Sequence, residues 1–159
     1  MTQSTRQGAS GTPGAGRLTA AQYQPSAGQI TAAVVGTAYV VVGLLGFIST
    51  GASDFAGHDP SHQIAGITVN PLHNVAHLLV GGLGMVALVS AKLARLYGLV
   101  LLVGYGALFA WGLAVADGPN ILNLDQGGNV LHAATALVGL LIALLPTGRN
   151  RADSSQGER

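Results

Sequence analysis

The sequence predicts an all-α, polytopic membrane protein: four transmembrane helices arranged as two repeated hairpins, with both termini cytoplasmic. Composition is the first reason, since 49% of the residues are hydrophobic and only 8% charged, against about 25% charge in soluble domains. Patterning is the second. The runs 30–50, 71–91, 96–116 and 128–147 contain no Asp, Glu, Lys or Arg, and each has the roughly 20 residues that a helix needs to cross hydrocarbon. The third reason is charge segregation. Arg6 and Arg17 precede the first run, Lys92 and Arg95 lie between the second and third, and Arg149, Arg151 and Arg159 follow the fourth. The remaining two connections carry Asp54, Asp59, Asp117 and Asp125 and no basic residue. Because cytoplasmic loops retain positive charge, both termini are expected in the cytoplasm of a cell whose plasma membrane holds the protein.

Each element follows in order. Residues 1–29 are rich in Gly, Ser, Thr, Gln and Pro, hold too little apolar surface to dock, and read as a disordered cytoplasmic tail. The run 30–50 starts late and is long for a cleaved signal peptide, so it reads as a retained span. Before 71–91, Asn70 and Pro71 form a cap followed by proline in the first helical position, a helix start that needs no further signal. The runs 96–116 and 128–147 complete the 30–147 transmembrane domain, and residues 148–159 read as a second flexible tail. Glycine is common, at 24 residues, which in lipid lets helix backbones approach; Gly36, Gly43, Gly81, Gly84, Gly106 and Gly112 are the expected contacts. No Walker-type lysine follows any of them, so a phosphate loop is excluded.

Other exclusions are equally direct. The chain has no cysteine, which removes disulfide and thiolate chemistry. Its net charge of +1 comes from scattered basic residues and offers no nucleic-acid patch. The lipid bilayer is the one partner that the composition names; protein partners are unspecified, and a homo-oligomer stays open.

Two sequence stretches resemble each other. "NVAHLLVGGLG" from Asn74 aligns with "NVLHAATALVG" from Asn129, pairing Asn74 with Asn129, His77 with His132 and Gly84 with Gly139. Tyr39 and Gly46 are seven residues apart, as are Tyr105 and Gly112. These matches suggest a duplicated two-helix hairpin.

Polar side chains gather at the heads of the second and fourth runs. At 100° per residue, Asn70, His73, Asn74, His77, Gly81, Gly84 and Leu88 fall on one stripe, and Asp125, Asn129, His132, Ala136, Gly139 and Ala143 follow the same spacing. Such groups are costly against lipid and should face protein, each stripe toward the other. Four readings follow. Asn and His could join the hairpins through interhelical hydrogen bonds, each contributing roughly 0.6 to 2 kcal/mol. His73 and His77, four residues apart, could chelate zinc or copper with His132 or Asp125 completing the site; His58 and His62 repeat that spacing in a loop. His77 and His132, at equal depth on different helices, could ligate haem b in a membrane redox protein. The histidines could also serve a proton or small-solute pathway, although no acidic residue lies deep in a span. A hydrolytic triad is not expected, since Ser90 lies at the far end of its run from the histidines, and no catalytic residue is assigned.

The stretches "VNPLHNVAHLLVGGLG" and "GNVLHAATALVG" resemble a bacterial, largely actinobacterial, membrane-protein family catalogued as domain of unknown function 4383. The resemblance covers roughly residues 31–145 and rests on an N-x-x-H-N-x-x-H motif, here Asn70, His73, Asn74 and His77, and an N-x-x-H motif, here Asn129 and His132. It implies four spans and brings no activity.

Overall fold

The structure, a computed structural model, describes residues 24–115 and 120–146. Most of the expected N-terminal tail, Asp117 and all of the expected C-terminal tail 148–159 lie outside the described residues. Among those described, four helices are long and apolar enough to cross a membrane.

Helix α1, Ala27–Thr50, starts three residues before its expected boundary because Ser26 and Gln29 form a capping box. The Ser26 hydroxyl accepts from the Gln29 N–H while the Gln29 side chain accepts from the Ser26 N–H, so two otherwise orphaned donors are satisfied. Gln29 also donates its amide to the Leu88 carbonyl at 2.6 Å. Residues assigned to the tail therefore belong to the folded bundle.

A two-stranded hairpin follows, β1 (Gln63–Ile64) and β2 (Ile67–Thr68), antiparallel with Gln63 opposite Thr68 and Ile64 opposite Ile67. Ala65 and Gly66 turn it with φ of 51° and 83°, the paired positive values that suit a two-residue hairpin loop. Helix α2, Pro71–Val86, gives way to a 3-10 turn, Ala87–Val89. The serine at position 90 then caps helix α3, Ala91–Ala114, by accepting from the Leu93 N–H. Lys92 and Arg95, expected in a connection, are consequently exposed residues in the first two turns of α3. Helix α4, Gln126–Leu144, is capped by Asp125.

Helix α1 packs mainly on α2 and α3 on α4, with α1 and α3 also in contact. Small residues permit this closeness. A Cβ on Gly36 would come within 2.6 Å of the Gly81 carbonyl and 2.8 Å of Gly84, and one on Gly139 within 2.6 Å of the Gly98 carbonyl. Gly106, an expected contact, faces open space. Gly98 and Gly112 flank Tyr105 at seven residues, two helical turns, and so share its inward stripe, whereas Gly106 is rotated about 100° from it.

The buried core consists of Ala32, Ala87, Ala94, Tyr97, Leu101, Tyr105, Ala136 and Ile142. Ala87 occupies the place expected for Leu88, which is exposed, because the 3-10 turn changes the helical phase there. Ile142 similarly is more buried than its neighbour Ala143. The outer surfaces are apolar, with Ile48 82% and Leu144 72% exposed, as a bundle dissolved in hydrocarbon requires.

Candidate functional site

The seven polar residues singled out from the sequence separate into three groups. Asn70 and Asp125 tie the two long loops together. The Asn70 Oδ1 accepts from the His73 N–H at 2.9 Å, while its Nδ2 donates to the carbonyls of Gly57, at 3.0 Å, and Ile121, at 2.8 Å. One Asp125 oxygen accepts from the Gly128 N–H at 2.6 Å and the other from the Thr68 N–H at 2.8 Å. Each residue thus caps a helix and reaches across to the opposite loop.

Asn123 completes this junction and was not foreseen. It is fully buried with φ of 53°; its Nδ2 donates to the Asp59 and Val69 carbonyls, and its own carbonyl accepts from the Thr68 hydroxyl. Its sequence signal is slight: asparagine tolerates positive φ, and several Asn and Gly residues surround it.

Asn74 and Asn129 are seated on glycines of the adjacent helices. A Cβ on Gly46 would overlap the Asn74 amide, and one on Gly112 would overlap the Asn129 amide. The Asn74 Nδ2 donates to the Thr50 hydroxyl at 3.0 Å. Its Oδ1, like that of Asn129, has no conventional partner among the described residues and lies against a glycine Cα, where a weak C–H···O contact is available.

The three histidines meet two tyrosines in a closed circuit. Ring centroids are 4.4 Å apart for His73–His77, 5.2 Å for His77–Tyr39, 5.5 Å for Tyr39–Tyr105, 5.5 Å for Tyr105–His132 and 5.9 Å for His132–His73. All four helices contribute, and His73, His77 and His132 are 4%, 8% and 3% exposed. The Tyr39 hydroxyl shares a 2.7 Å hydrogen bond with Thr135 on α4, and His73 bonds to the backbone of Leu122. The Nδ1 atoms of all three imidazoles are without a partner among the described residues.

Each of His77 and His132 meets a tyrosine and each of Asn74 and Asn129 meets a glycine. A short amide reaches only the adjacent helix, whereas the longer imidazole reaches the bundle interior. Among the described residues, no group of three or more His, Cys, Asp or Glu side chains is arranged to hold a metal ion. In the loop, His62 is 3.9 Å from Asp59. Two hydrogen bonds from Ser61 hold the Asp59 carboxyl below the usual carboxylate range.

The family model described as domain of unknown function (DUF4383) matches residues 29–145, and the chain belongs to that family. No curated protein and no solved structure matches it.

Proposed function

We propose that this DUF4383 member is a non-enzymatic, multi-pass plasma-membrane protein in which the imidazole–tyrosine circuit locks two copies of a duplicated hairpin into one bundle. The closed circuit is the observation that carries the reading, because every member makes at least one contact between helices. Duplication is supported by paired contacts. Tyr39 meets His77 as Tyr105 meets His132, Gly46 receives Asn74 as Gly112 receives Asn129, and Gly84 approaches the Ala32 carbonyl as Gly139 approaches that of Gly98. Tyr39 and Tyr105 then meet each other where the two copies join.

Ring contact makes a distinctive prediction. His77→Ala and His132→Ala should each lower stability in detergent by about 1 to 2 kcal/mol, the scale of an aromatic contact plus a lost polar partner. His77→Phe should retain more stability than His77→Asn, because the phenyl ring still reaches Tyr39. Alanine variants that melt with the parent protein would sink the lock. A Soret band or stoichiometric zinc or copper in purified protein would favour the redox alternative using His73, His77 and His132.

The orientation has both termini in the cytoplasm and the polar circuit in the outer half, a reading supported by the segregation of Lys and Arg in the sequence. Ser61 is exposed and Ala91 partly exposed at opposite ends of the bundle. In intact cells, Ser61→Cys should react with a membrane-impermeant maleimide, while Ala91→Cys should react only after permeabilisation. The reverse pattern would invert the topology.

A further inference from the structure

The structure assigns the imidazole circuit a ligand: we infer that His73, His77 and His132 together bind one small hydrogen-bond donor of the size of water or ammonium. The inference goes beyond the structural lock, which needs only ring contact. It rests on three clustered nitrogens, more than nine-tenths buried, that have no protein partner among the described residues. Each such atom has given up its bond to water without gaining another, which is unfavourable. Three within a single circuit form a site with a defined chemical deficit.

The sign of the deficit follows from tautomers. A neutral imidazole carries one N–H, and His73 uses one in bonding to the Leu122 backbone; its Nδ1 is then a lone-pair acceptor. The groups facing the circuit do not fill that need. On α1 and α4 the Tyr39 and Thr135 hydroxyls bond each other, on α3 the Tyr105 hydroxyl bonds that of Tyr39 while its ring meets His132, and Asp125 at the head of α4 is an acceptor already holding two backbone donors. His73 therefore lacks a donor at Nδ1, and the Nδ1 atoms of His77 and His132 lack a partner of either kind among the described residues. Ammonium carries four donors and can serve three acceptor nitrogens; water carries two donors and two lone pairs and can serve two acceptor nitrogens and one N–H, and either can bridge rings 4.4 to 5.9 Å apart. Buried water characteristically occupies such groups of unmatched polar atoms.

Nitrogen-15 spectra of full-length protein in lipid nanodiscs, labelled at histidine, would test this. Ammonium chloride would be titrated against tetramethylammonium chloride, which has no N–H, at constant pH and ionic strength. The expected result is an unprotonated acceptor Nδ1 on His73, with all three Nδ1 atoms unprotonated if ammonium is bound and one of the other two protonated if water is bound. If ammonium is the ligand, the Nδ1 signals move saturably with ammonium and stay fixed with tetramethylammonium. If water is the ligand, they ignore both salts but exchange magnetisation with water. His132→Phe keeps a ring beside Tyr105 and should weaken the ammonium response about tenfold, the equivalent of one hydrogen bond. Three Nδ1 atoms that all carry protons, or signals that show neither an ammonium response nor contact with water, would overturn the site. The parent protein's spectra decide this even if His132→Phe does not fold.

Discussion

Gly139→Leu is expected to leave little folded protein, with a loss of about 3 kcal/mol or more in whatever can be purified. Overpacking a close-packed interior typically costs about 1 to 3 kcal/mol when side chains can shift. Here they cannot give way easily. A Cβ at 139 would stand 2.6 Å from both the Gly98 carbonyl oxygen and the Leu102 nitrogen, so the α3 and α4 backbones must separate. Their separation would also pull His132 from Tyr105, about two turns along the same interface. Gly104→Leu provides the control, since nothing lies within 4 Å of a Cβ there and the position is exposed. It should remain within about 0.5 kcal/mol of the parent. Yield in membranes and thermal unfolding in one detergent would measure both, and equal behaviour of the two variants would refute the close approach of α3 and α4.

Asn70→Ala should produce the second large loss, about 3 kcal/mol. It removes a helix cap, worth about 1 kcal/mol, and leaves the Gly57 and Ile121 carbonyls without their amide donor, at roughly 1 kcal/mol each. Asn70→Asp separates these contributions. The carboxylate can still accept from the His73 N–H, but its second oxygen would face the Gly57 and Ile121 carbonyls in a buried site, so it should lose at least as much as the alanine variant despite keeping the cap. Limited proteolysis in the 51–70 loop should accelerate in both variants, because the loop loses its anchor to residue 121. Identical melting of all three proteins would show that the junction contributes nothing to stability.

Much of the arrangement around these positions was legible beforehand, for an identifiable reason. On α2 and α4 the inward stripe is polar or small while the rest is large and apolar, and the cost of turning Asn or His toward hydrocarbon marks which side faces protein. The buried residues of α2 include His73, Asn74, His77, Gly81 and Gly84, and those of α4 include Asn129, His132, Ala136 and Gly139. Helices α1 and α3 are apolar around their circumference, so their inner faces carried no comparable contrast. Tyr39 and Tyr105 stood out only by their spacing to glycine. Their place against the histidines depends on the relative positions of the helices, which no local period encodes.

The amino-acid sequence by itself determined the four apolar spans, the family, the caps at Asn70 and the polar stripes, because these follow from local composition and from the phase of one helix. Tertiary structure decided the partners. Whether His77 met Asn129 or Tyr39, whether Gly98 or Gly106 lay at the interface, and whether Asn123 joined loops more than 50 residues away depended on how closely glycine let backbones approach. Side-chain reach then selected the contacts: amides ended at the nearest helix, and imidazoles extended into the space between all four.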